Sequence, residues 1–226
     1  MKSSEIKKLF HQQLRGELTS AGWNFSSKHS MYYRITDNVL NFILTDRRSS
    51  GLEVGIYVQP LYIPGAHLVL NLGDSIQHIN CGHYHAYALL PALDAEEIVG
   101  NIMRNQRFIL ERGIPWLDRV GSPEGICKFI FEKNETGRWF WTSDVWRHEA
   151  AAYSKLYLGD VEAAGFHFHQ FWDQLKADHS GKWVEDTVDY TQKLMHDAEV
   201  DLTRIGGVLA DHVSQLRKVL DIGEED

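Results

Sequence analysis

Imidazole and thiol groups are concentrated in His78-Ile79-Asn80-Cys81-Gly82-His83-Tyr84-His85. Both groups are preferred ligands of zinc and related metals. If His83 to Leu89 is a strand, His83 and His85 project from one face and can share an ion, because side chains alternate across a strand. That arrangement would suit a metal-dependent enzyme using His78, Cys81, His83 and His85. The same residues also read as polar strand-and-turn positions packed beside Tyr84 and Tyr87. The second reading is preferred, because Cys-x-His-x-His is not a familiar structural-zinc spacing and no second cysteine pair is present to close a site. With 12 histidines in the chain, one local cluster is ordinary. The native protein is expected to be metal-free and to use no cofactor.

A second concentration is aromatic: Trp139, Phe140, Trp141 and Trp146 lie beside Arg138 and Arg147. Aromatic residues and arginine are enriched where few side chains carry most of a binding energy. They also fill junctions between a sheet and helices. Arg138, Trp139, Trp141, Trp146 and Arg147 are the candidate binding residues. Asp144, His148 and Glu149 follow closely, so acid–base chemistry is conceivable, although Asp144 and His148 are also spaced as an ordinary helix-surface pair. His167-Phe168-His169 fails as a ligand pair on a helix, where residues two apart are rotated by about 200°. It reads instead as helix-surface histidines flanking a buried Phe168. There is no phosphate-binding glycine loop, no Gly-x-Ser-x-Gly elbow, no His-Glu-x-x-His helix and no Cys-x-x-Cys pair.

The elements that must position these residues follow from periodicity. Ser4 can cap a helix to about Thr19, with Ile6, Leu9, Phe10, Gln13, Leu14 and Leu18 on one face. Asp37-Asn38 tolerates the positive φ of a tight hairpin between strands Met31–Ile35 and Val39–Thr45. Leu52, Val54, Ile56 and Val58 alternate as in a half-buried strand, and His67 to Leu72 is expected as a fourth, completing an antiparallel meander. Asp94 with Glu97 starts a helix expected to stop at Gly113, with Pro115 beyond. Lys128 to Glu132 reads as either a short strand or a buried loop. A helical hairpin runs from Asp144 to Leu175, turning at Gly159-Asp160. Val184, Val188, Thr191, Met195, Ala198, Leu202, Ile205, Leu209, His212, Leu216 and Val219 form a four-three seam. Gly206-Gly207 is the expected bend. The seam reads as a core-facing stripe on the Asp144–Leu175 hairpin, with Leu202 and Leu209 deeply buried. A helix-mediated homodimer is the alternative, and a monomer is favoured.

The fold class is therefore α+β. Residues 1–93 form a helix plus an antiparallel β-meander. Residues 94–226 form a helical layer with a hairpin and a long C-terminal helix, packed on the sheet as one domain. A chain of 226 residues can bury a full core. Its net charge of −8 disfavours a nucleic-acid partner and suits a basic protein partner. No signal segment opens the chain and no apolar run approaches membrane-spanning length, so a cytoplasmic protein without membrane partners is expected. Cys81 and Cys127 make no disulfide framework.

The opening helix, Gly22-Trp23-Asn24-Phe25, Tyr32-Tyr33-Arg34 and Asn41-Phe42 together resemble the bacterial family filed as domain of unknown function 4304. The resemblance covers about the first half of the chain, with Trp23 where the family would have Phe. The family has no established catalytic residues. The resemblance implies a bacterial cytoplasmic protein, with an immunity (toxin-neutralising) role for some members. The functional expectation is a non-catalytic binding protein.

Overall fold

A computed structural model describes residues 1–48, 51–80, 83–132 and 144–223. The first helix, α1 (Ser3–Ser20), buries Ile6, Phe10, Leu14 and Leu18. Lys2, rather than Ser4, precedes it, and the Lys2 backbone N–H donates to the Glu5 carboxylate at 2.7 Å. Gly22, at φ 80°, turns the chain into β1 (Asn24–Ser26), a short strand the sequence pattern does not announce.

Next come β2 (Met31–Thr36), β3 (Val39–Arg48), β4 (Gly51–Pro60) and β5 (Leu72–Ser75). The sheet order is β1-β2-β3-β4-β5, every pair antiparallel. Asp37 and Asn38 sit at φ 47° and 62°, the twin positive values of a two-residue hairpin turn. Along β3, Val39, Leu40, Asn41, Phe42 and Ile43 are all fully buried, and on β4 both Val58 and Gln59 are buried. The sheet centre is thus covered on both faces, rather than half-buried as the alternation on β4 suggests.

The fourth strand departs from expectation. His67 to Leu72 runs beside Gln59, whose amide replaces a backbone ladder: Nε2 donates to the His67 carbonyl at 3.2 Å, and Val69 N–H donates to Oε1 at 3.0 Å. Regular pairing begins only at Leu72. His83 to Leu89 is not a strand either. Between the short helix α2 (Ile76–Ile79) and Leu89 stands a second short helix, α3 (Tyr84–Tyr87).

Asp94 accepts from Glu97 N–H at 2.8 Å and starts α4 (Ala95–Phe108) as the capping pattern requires. The helix does not stop at Gly113. It passes through a π-helical turn (Ile109–Gly113) into α5 (Ile114–Val120). Pro115 has no N–H to bond one turn back and its ring crowds that carbonyl, so a wider turn accommodates it. Lys128 belongs to α6 (Pro123–Phe129), capped by Ser122, whose hydroxyl accepts from Gly125 N–H at 3.0 Å.

The hairpin forms as expected from α7 (Asp144–Tyr157) and α8 (Val161–Asp178), with Gly159 at φ 81° and Asp160 accepting from Ala163 N–H at 3.2 Å. The four-three seam is carried by two helices, α9 (Lys182–Val200) and α10 (Leu202–Leu220), divided at Asp201 rather than bent at Gly206-Gly207. Asp201 has extended backbone and caps α10 through Thr203 N–H. The break leaves Leu202 at 40% exposure, contrary to its expected burial, while Leu209 is 2% exposed. The seam's polar members are satisfied within the chain. Trp172 Nε1 donates to Thr191 Oγ1 at 2.7 Å, and His212 lies 3.0 Å from the Tyr62 carbonyl and 2.8 Å from the Tyr190 hydroxyl. The stripe therefore packs on α8 through α9, whereas α10 reaches the sheet, where Arg217 donates to Asn38 at 3.1 Å. The result is an α+β fold with one continuous core.

Candidate functional site

Among the described residues, the alternative metal set His78, His83 and His85 is not brought together. His78 lies in α2, its Nδ1 3.0 Å from Asp74 Oδ1. His83 and His85 flank and enter α3, so the strand geometry that would aim both at one ion is absent. Cys81 lies outside the described residues. Among those residues no group of three or more His, Cys, Asp or Glu side chains has metal-holding geometry. Asp74 is buried with Oδ2 unpartnered, and burial raises its carboxyl.

The residues carrying the family resemblance serve packing. Arg34 lies 5.0 Å over the Trp23 ring and pairs with Asp118. Asn41 is fully buried and donates to the Gly121 carbonyl at 3.0 Å, tying β3 to the α5–α6 turn. Phe42 stacks on Tyr57 at 5.4 Å.

On α7, Asp144 pairs with Arg147 and not with His148. His148 instead meets His167 of α8, Nδ1 to Nδ1 at 3.0 Å, with Phe131 stacked 5.3 Å from the His167 ring. Burial lowers His148 and takes His167 down to about 4. The pair is a neutral hydrogen-bonded imidazole contact. It makes His167 half-buried rather than a free surface residue, while Phe168 is fully buried as expected. A third depressed histidine, His11, sits between the Tyr32 and Thr45 hydroxyls at 3.3 and 3.2 Å, and burial takes it to about 4.

A feature that could bind a ligand lies on another side of α7. A cleft of about 190 Å³ separates the β4–β5 connection from the start of that helix. Pro60, Ile63 and Val69 form much of one wall and Trp146, Glu149 and Ala150 the other, with His67 at the edge. The buried Gln59 braces the first wall through its two bonds to the connection. Trp146 also contacts Phe171 and His179, both at 6.4 Å, and His179 leads to the 47% exposed Trp183 at 5.4 Å. An aromatic rim therefore runs from the cleft to the start of α9.

Glu149 is the unusual member. Its carboxyl meets no hydrogen-bond donor among the described residues, and burial alone pushes it up to about 7. By surface area Glu149 is half-buried, and a carboxylate that loses part of its hydration without gaining a donor or cation shifts towards its neutral form. Such a group in a cleft is a functional-site candidate on physical grounds.

Of the candidate binding residues, Trp146 lines this cleft and Arg147 is held by Asp144. Arg138, Trp139 and Trp141 lie outside the described residues. In the sequence Glu149 stands out only as a neighbour of Asp144 and His148. A better signal was its place between Trp146 and Tyr153, which puts a carboxylate on the apolar stripe of α7. The opposite wall left no signal, because it lies in an aperiodic connection far away in sequence. No protein-family model, curated protein or solved structure matches the chain.

Proposed function

We propose that the chain is a non-catalytic, cytoplasmic binding protein that engages a basic protein, in the manner of an immunity protein neutralising a toxin. The observation that carries this reading is Glu149, a carboxylate without a donor in an apolar cleft with an aromatic rim. The net charge of −8 supports the same direction, since complementary charge speeds and selects encounter. The resemblance of the first half to a bacterial family for some of whose members an immunity role has been considered is a further support. The test is calorimetric titration of the purified chain with the basic proteins encoded beside it, at low and high salt. A stoichiometric complex whose affinity falls with salt is expected. Absence of binding at micromolar concentration in low salt would overturn the reading.

A further inference from the structure

The cleft wall contributes the Glu149 carboxyl but, among the described residues, no lysine or arginine to pair with it. Its only other titratable lining group there is His67, which is exposed. A volume of about 190 Å³ falls short of the roughly 300–1,000 Å³ typical of drug-sized ligands. It suits an occupant the size of one side chain. The apolar wall suits a hydrocarbon stem, and tryptophan is the aromatic residue that best attracts a cation. An ammonium is a compact charge on an unbranched stem, whereas a guanidinium prefers a planar, bidentate fork.

Resting on the binding-protein reading above, we infer that the cleft is a receptor for one alkylammonium group. Glu149 pairs with the charge, Trp146 supplies aromatic surface, and Pro60, Ile63 and Val69 cover the stem. A lysine of a partner protein and a free alkylamine share this chemistry.

Binding requires the ionised carboxylate, so it competes with a proton. The groups around Glu149 do not reverse that sign. Tyr153, on the next turn of α7, is buried and held neutral well above the ordinary tyrosine value. Tyr190, beyond it on α9, is also raised by burial. Asp144 and Arg147 neutralise each other on the same helix. Affinity for an ammonium therefore rises with pH and levels off above about 7.

The test is an NMR titration of the full chain with n-butylammonium and with Nα-acetyl-lysinamide, at about pH 8 and about pH 5.5. Saturable shifts at the Trp146 indole and the α7 amides are expected, with affinity about tenfold or more higher at the upper pH. Glu149→Gln should lose about tenfold or more while keeping the wild-type circular dichroism. Trp146→Leu, which leaves the carboxylate in place, should also weaken binding. Tighter binding of acetyl-lysinamide assigns the site to a protein side chain; tighter binding of butylammonium assigns it to a free amine. Either result supports the ammonium receptor. Equal binding by Glu149→Gln, or equal binding of uncharged n-butanol, would overturn it. If butylammonium binds but the neighbouring basic proteins do not, the receptor stands and the partner reading falls. The reverse result removes the receptor and leaves the partner to another surface.

Discussion

Glu149 and the two most depressed histidines pull the pH dependence of stability in opposite directions. The folded Glu149 carboxyl titrates at about 7 against an ordinary 4.5, so the unfolded chain releases this proton first. The stabilising effect of its neutral form is complete below 4.5 and is lost as pH rises towards 7. Glu149→Gln should therefore raise the melting temperature above pH 7 and leave it unchanged below about 4.5. His11 and His167 sit near 4 in the folded chain against an ordinary 6.5. Between those values the unfolded state binds more protons, so their contribution is complete above 6.5 and falls as pH drops towards 4. Urea unfolding in the Glu149→Gln background, where the opposing slope is gone, should show this acid loss. Adding His167→Asn should reduce it, leaving the share that His11 contributes. At Gly121 a Cβ would stand 1.6 Å from Asn41 Oδ1 and 2.4 Å from the Leu117 carbonyl. Gly121→Ala should consequently cost about 1–3 kcal/mol in denaturant unfolding, because Asn41 cannot withdraw without breaking the β3 tie, nor the Leu117 carbonyl without losing its bond from Gly121 N–H.

At the scale of elements, the division of the C-terminal seam at Asp201 makes a pair of contrasting predictions. Leu209→Ala should cost about 2–5 kcal/mol, as expected for a fully packed leucine. Leu202→Ala, at a 40% exposed corner, should stay within about 0.5 kcal/mol of wild type. The seam was legible in the sequence through Val184, Val188, Thr191, Met195 and Ala198, all buried. Beyond the break Ile205, Leu209 and Leu216 stay on the buried seam, while Val213 and Leu220 are buried in place of His212 and Val219. A heptad count runs straight through a break because it assumes one unbroken helix. Local signals with their own chemistry proved readable: the Asp37-Asn38 hairpin, the Asp94–Glu97 box and the Gly159-Asp160 turn. Elements decided by a distant partner did not. β5 starts late because the Gln59 amide occupies the preceding backbone groups, and α5 continues past Pro115 because a π-helical turn absorbs the missing bond. The cleft belongs to this second class, since only folding brings Ile63 and Val69 opposite Glu149.

For the whole molecule, the helical region consumes its own apolar stripe. Thr191 and His212, awkward in a coiled-coil seam, are hydrogen-bonded to Trp172, Tyr62 and Tyr190 of the same chain. Sedimentation should accordingly show a monomer across micromolar dilution, whereas a dimer that dissociates on Leu209→Ala would contradict intrachain packing. No helix among the described residues is long and apolar enough to cross a membrane. With both faces of the sheet centre covered, the cleft beside α7 joins the Glu149 carboxyl to an aromatic rim. The direct measurement is a ¹³C NMR titration of the Glu149 side-chain carboxyl, with and without saturating n-butylammonium. A midpoint of about 7 in the free chain, moving down towards the ordinary carboxylate value when the amine is bound, is predicted. A free-chain midpoint near 4.5, or one at 7 that the amine leaves unmoved, would contradict it.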